Sequence, residues 1–303
     1  MPSIYDVARP GLVHHMIHPN IIFDPQRHVD TLIGLSKRPD IGTFDCCLPY
    51  DPALRAKAVE GLRGCGKTVC YACHMLPHAR VRTATADVLE LSLIKLFYEN
   101  QIEAAAQIGA SGFIFVSGPD FPEEERPEAM ARFAEFARWF CEKLRPYGIT
   151  AMLEPFDRFV DKRFLYGSID ECAALMRELS DLPNLAIELD FGHLPLMAEP
   201  IDRAVKTLAP YIRRVHLGNC VLRDPKHPLY GDKHPPIGLP GGENGRDELC
   251  QALTALADIG FLSTGSKGDL LIEMTPFPGR DAEYTIARQF ELLEEVWAQV
   301  CRA

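Results

Sequence analysis

Four side chains able to bind a divalent ion sit at the ends of four apolar runs in the second half of the chain. They are Glu154 in AMLEPF, Asp190 in AIELDFGH, His216 in RRVHLGN and Glu273 in LLIEMTPF. Three carboxylates and one imidazole suit manganese, magnesium or cobalt in six-fold coordination, with room left for two substrate oxygens. A structural zinc site would favour thiolates and close at four ligands. A single acid at a strand end usually caps or hydrogen-bonds locally, but four donors at equivalent ends of separate runs describe a site. Strand alternation tests the idea. In LAIELD, Ala186, Glu188 and Asp190 share one face and Leu185, Ile187 and Leu189 the other. Counting by two groups His216 with Arg214, Glu273 with Leu271 and Glu154 with Met152. All four donors should therefore leave an inner face at the same end. Glu188 and Arg214 lie one layer deeper and are expected to pair, since an unpaired buried charge costs on the order of several kcal/mol.

The elements that must position these groups alternate along the whole chain. Strand-like runs occur at 11–19, 41–49, 67–75, 112–119, 148–156, 185–193, 213–219 and 269–277, several of them continuously apolar, as in parallel sheets covered on both sides. Helical patterns fill the gaps. DPQRHVDTLIGLSK and DPALRAKAVEGLRGCG both open with Asp-Pro, a capping residue followed by proline at the first helical position. Stretches 85–109 and 122–146 are long helices, and Ser168 with Glu171 reads as a capping box. Pro195 and Pro200 interrupt a weaker helical stretch over 194–208, and 245–259 and 281–300 complete the set. Eight such units predict an α/β protein folded as one (β/α)₈ TIM barrel over residues 1–303, with its chemistry at the C-terminal strand ends. The alternative is an open doubly wound sheet, but no glycine-rich phosphate loop follows the first strand. The segment 220–244 after strand seven is long and rich in Pro, Gly and His, which predicts a lid or pocket wall.

Composition narrows the partners. A net charge of −10 argues against a phosphate-backbone binder. The N-terminus has no targeting pattern and no apolar run approaches a membrane span, so a cytoplasmic protein is expected. The ten cysteines are scattered, six of them in apolar helix-like or strand-like contexts, and are read as reduced thiols. Cys70 and Cys73 should face opposite sides of a strand, which disfavours a redox or zinc pair.

With these residues in view, the chain resembles the xylose-isomerase-like TIM-barrel superfamily of sugar isomerases, ketose 3-epimerases, inosose dehydratases, AP endonucleases and relatives that cleave 3-keto-glycosides. The resemblance spans essentially the whole chain and rests on Glu154 before Pro155, the D-x-x-H pair Asp190/His193, His216, and Glu273 on the last strand. It implies one divalent ion, manganese first and magnesium, cobalt or zinc as alternatives, held by Glu154, Asp190, His216 and Glu273. It also implies that Glu154 and Glu273 act as an acid/base pair, that His193 contacts substrate near its carbonyl, and that Arg223 binds substrate hydroxyls. Two features depart from the epimerase pattern. The acid of the second strand is Asp45, followed by Cys46 and Cys47, and the first run carries His14, His15 and His18, of which alternation turns only one of the adjacent pair inward. His15 and His74 are taken as pocket residues. Asp232 and His234, in YGDKHPPIG, are similar to the D-x-H metal pair of the AP endonucleases, but the fourth run, FIFVSGP, offers no imidazole for a nuclease centre. They are read as substrate-binding groups.

The resemblance implies proton abstraction beside a carbonyl of a keto sugar, giving an enediolate that is reprotonated from the other face. The same enolate could instead expel a β leaving group from a 3-keto sugar, an inosose or a C- or O-glycoside, which makes a lyase the alternative. A non-catalytic carbohydrate-binding protein is the third reading. The expected partner is a small carbohydrate, with a homo-oligomer or a small partner subunit as the form of assembly.

Overall fold

The computed structural model describes residues 2–73, 75–265 and 267–302. Eight parallel strands close on themselves in chain order: β1 Ala8–Val13, β2 Thr43–Cys46, β3 Thr68–Ala72, β4 Gly112–Phe115, β5 Thr150–Leu153, β6 Leu185–Asp190, β7 Ile212–Leu217 and β8 Gly268–Ile272. The last strand returns to the first, from Ala8 opposite Gly268 to Leu12 opposite Ile272. The closed (β/α)₈ barrel expected from the strand–helix alternation is thus the fold. No helix among the described residues is long and apolar enough to cross a membrane.

Alternation sorts the strand residues as expected. Ile187 and Leu189 of β6, Val215 and Leu217 of β7, and Leu270 and Ile272 of β8 join the main core beneath the helices. Inside the barrel, Cys70, Ala72, Ile114, Met152 and Ala186 form a separate apolar cluster on β3–β6. The remaining strands place Asp45, Arg214 and Asp269 inside, all buried. The interior is therefore half apolar and half ionic. Gly11 lets β1 and β2 close, since a Cβ there would strike the Thr43 backbone carbonyl.

Both Asp-Pro signals cap helices: Asp24 accepts from the Arg27 amide ahead of Pro25–Ser36, and Asp51 from the Leu54 amide ahead of Pro52–Leu62. Three expectations need correction. His14 and His15 are not on the first strand. β1 ends at Val13 and the histidines begin a helical turn, His14–Ile17, in which His14 bonds Thr31 and packs on the rings of His18 and His28. Ser168 stands at the N-cap of Ile169–Glu178 without a side-chain bond, because Glu171 reaches Arg126 at 2.6 Å instead of closing a capping box. The stretch 194–208 is two helices, His193–Leu196, which contains Pro195, and Ile201–Leu208, with Pro200 at its N-cap. All ten cysteines are free thiols. Cys70 belongs to the barrel interior and Cys73 to the outer core, so the two do face apart.

Candidate active site

The C-terminal strand ends frame a cavity of about 240 Å³. On its floor are Glu154, just past β5, His216 on β7 and Glu273, just past β8. These three can each offer a ligand atom within 4.8 Å of the others. Asp190, at the end of β6, forms a second such group with His193 and His234. The two groups touch, with His193 Nδ1 3.7 Å from Glu154 and His234 Nε2 3.9 Å from Glu273. Asp232 links the histidines through one oxygen, 2.9 Å from His234 Nε2 and 3.4 Å from His193 Nε2.

His216 is held at both ring nitrogens. Nε2 lies 2.6 Å from Asp45, while Nδ1 lies 2.6 Å from Glu273 and 3.4 Å from Glu188. This is the usual setting of a metal-binding imidazole, in which a carboxylate on one nitrogen orients the ring so that the other faces the ion. Asp45 is itself anchored by Arg214, whose guanidinium also reaches Asp269 at 2.8 Å and Thr43 at 2.9 Å. The expected Glu188–Arg214 pair is therefore not formed, although the two are neighbours in register. Arg214 finds acceptors on β2 and β8, and Glu188 stays beside His216.

Burial and charge push the titrations apart. Burial holds the Glu154 carboxyl protonated up to about 8. Burial would also raise Glu273, but His234 and His216 hold it below the ordinary carboxylate range. Burial opposes protonation of the three imidazoles, yet surrounding carboxylates raise all of them: His234 to about 9 and His193 and His216 well above their usual value. Asp190 and Glu188 are raised by burial.

The donor set fits a divalent cation. Six buried carboxylates (Asp45, Glu154, Glu188, Asp190, Asp232 and Glu273) surround three buried imidazoles. Both oxygens of Glu188 and Oδ2 of Asp190 have no hydrogen-bond partner. Buried carboxyl groups are seldom left so, and oxygen-rich clusters with spare lone pairs are where hard cations bind.

A model of the xylose isomerase-like TIM barrel family matches residues 94–264, more than half of the chain. The chain belongs to this family. It is 24% identical over 125 residues to a 2-oxo-tetronate isomerase of Pectobacterium atrosepticum; the match takes in 41% of this chain and 47% of the relative, so the chain spans about half the length of that curated relative. Among solved structures, a D-tagatose 3-epimerase-like protein shares the fold at a TM-score of 0.71 and 18% identity, covering 96% of this chain and 99% of that one. An L-ribulose 3-epimerase does so at 0.67 and 16%, covering 96% of each.

The structure brings most of the residues singled out in the sequence to one place. Glu154, His216, Glu273, Asp232, His234 and His15 line the cavity, with Asp190 and His193 buried directly behind. Arg223 does not join them: its side chain is 72% exposed and lies near Glu243. His74 falls outside the described residues. Lys162 and His78, which sequence reasoning missed, also line the cavity. Asp157 accepts three successive backbone amides, from Val160 to Lys162, and this turn carries Lys162 Nζ to 2.7 Å from Asp232. No strand or helix periodicity reports such a turn. Asp269 was also missed, although counting back by two from Glu273 places it on the inner face.

Proposed function

We propose that this protein is a divalent-metal-dependent isomerase or epimerase of a keto sugar that moves a proton at the carbon beside the carbonyl. The observation that carries this reading is the pair of buried glutamates on the cavity floor, from β5 and β8, each within ligand distance of His216. In the ion-free protein burial raises Glu154 while the neighbouring histidines lower Glu273. Two carboxyl groups whose surroundings push their acidities apart divide into acid and base. Glu273, on the β8 side, takes the substrate proton. Glu154, three strands away around the ring, returns one. As a metal ligand either glutamate is a weaker base than a free carboxylate, so the transfer relies on proximity. His193, buried behind the cavity and fixed by the Pro155 carbonyl at 3.0 Å from Nδ1, positions Asp190 and Asp232, and His15, Asp232 and His234 bind the substrate's hydroxyls. Glu154, Asp190, His216 and Glu273 would hold the ion, manganese first. When bound, it supplies Lewis-acid stabilisation of negative charge on substrate oxygen. The similarity to proteins named as ketose 3-epimerases and as a 2-oxo-tetronate isomerase supports this class of reaction.

His234 favours a second reading. Held protonated up to about 9 beside the cavity, it could hand a proton to a departing group in β-elimination from a 3-keto sugar or glycoside. Incubation with candidate ketoses in D₂O separates the two. The first predicts deuterium on the carbon beside the carbonyl, lost on chelation and restored by manganese. The second predicts an enone or a released leaving group from a 3-keto substrate. Absence of exchange with every ketose and keto-polyol tried, in the ion-loaded protein, would sink the first.

A further inference from the structure

Beside the active-site cavity lies a second one of equal size, about 240 Å³, walled by Ile21, Ile22, Pro25, Leu48, Pro49 and Met75. Cys73 borders both cavities. The short helix Met75–Ala79 also serves both, since Met75 lines the second and Leu76, Pro77 and His78 line the first. Several polar groups in the lining of this annex are engaged in hydrogen bonds within the protein. His28 Nε2 is 2.9 Å from the Cys47 carbonyl, Gln101 Oε1 accepts from the Tyr71 hydroxyl at 2.6 Å, and Asp51 accepts from the Leu54 amide at 2.9 Å. The rest of the lining is mostly hydrocarbon and sulfur, with Tyr50 and Asp51 at the solvent side. A hydrophilic ligand would leave its hydrogen-bonding groups unmatched there, at a cost of about 1–3 kcal/mol each. An apolar ring loses nothing. A wholly apolar cavity of about 150 Å³ accepts benzene, and this mostly apolar one is large enough for a single ring. Tyr50, 63% exposed, supplies an aromatic face to the lining where it meets solvent. Val13, Met16, Ala72 and Leu76 add apolar surface to the lining of the active-site cavity, which shares Cys73 with the annex.

We propose that this annex binds a small apolar ring, one aromatic ring in size, carried either as a substituent of the sugar in the neighbouring cavity or as a separate molecule. The link to a sugar rests on the function proposed above; the annex itself rests only on its lining. Titration with 4-fluorophenol followed by ¹⁹F NMR tests it without requiring turnover. The parent protein should bind saturably. Ile22→Trp and Met75→Phe, which fill the space from two different segments, should each weaken binding at least tenfold while keeping the thermal midpoint of the parent. Glu273→Gln, which removes the proposed proton transfer, should bind the probe unchanged, so failure of the catalytic reading leaves this result standing. Phenyl β-D-glucopyranoside binding at least tenfold more tightly than 4-fluorophenol, and weakened by the same two variants, assigns the ring to the sugar; equal affinity assigns it to a separate molecule. No saturable binding by the parent, or undiminished affinity in both folded variants, overturns the proposal.

Discussion

Asp45→Asn is the most informative single change, because Asp45 joins the ionic half of the barrel to the ring of His216. It is fully buried, lies 2.6 Å from His216 Nε2 and pairs with Arg214. Asparagine keeps the size and one acceptor oxygen but removes the charge. Loss of a carboxylate that orients a metal-binding histidine typically weakens metal affinity by roughly 10–100-fold, or about 1.4–2.7 kcal/mol. Stability should fall as well. Removing one partner of a buried ion pair costs about 3–5 kcal/mol, but Arg214 keeps Asp269 at 2.8 Å and Thr43 at 2.9 Å, which places the effect at the lower end. For a chain of this length that is a fall of roughly 5 °C in thermal midpoint. Manganese titration by calorimetry reads the first effect, and thermal unfolding in excess chelator reads the second. Thr43→Val is the control, since it removes a contact of Arg214 without touching His216 and should lower the midpoint while leaving manganese affinity intact. If Asp45→Asn loses stability but binds manganese as tightly as the parent, His216 is not oriented for an ion and the assigned ligand set is wrong.

Two further predictions probe other groups around the cation. In Gly218→Ala a Cβ would fall on the Asp190 carboxylate, which is otherwise fixed by the Gly192 amide at 2.7 Å; manganese affinity should drop at least tenfold, about 1.4 kcal/mol, and an unchanged isotherm would remove Asp190 from the ligand set. The second concerns pH. Glu154 holds its proton up to about 8 in the folded chain against an ordinary 4.5, so the stability it contributes is complete below 4.5 and is lost as pH rises towards 8. His234, raised from 6.5 to about 9, adds a loss between those values, whereas the contribution of the depressed Glu273 is complete above its ordinary 4.5 and stays constant. The thermal midpoint of chelator-treated protein should therefore decline from pH 5 to 9, and Glu154→Gln should flatten the part between 5 and 8. A midpoint that rises over that interval in the parent contradicts the assignment.

How much of this was legible in the chain depends on whether a residue's neighbours follow from periodicity. Glu154, Asp190, His216 and Glu273 are found by counting by two along apolar strands, and closing the barrel is enough to bring such residues to one mouth. The same count reaches Asp269 from Glu273 and would have supplied Arg214 with its partner. Instead of the expected Glu188, Arg214 pairs with Asp269, its register neighbour on β8, and with Asp45 on β2, which closure of the barrel brings within reach of β7. The first strand was misplaced for a different reason. GLVHHMIHP looks more strand-like than ARPGLV, since Arg9 and Pro10 interrupt the apolar run and proline gives no ladder donor. Yet β1 starts at Ala8, Arg9 is drawn to Asp269, and the histidines turn into a helix. Lys162 and the annex around Ile22 and Met75 are illegible on principle. Both depend on where loops from different units meet, and there the spacing along one segment carries no information about the segment it will touch. A barrel thus announces the residues its strands carry, whereas loop residues are legible only where a short motif marks them, as with Asp232 and His234, and Lys162 and the annex carry no such mark.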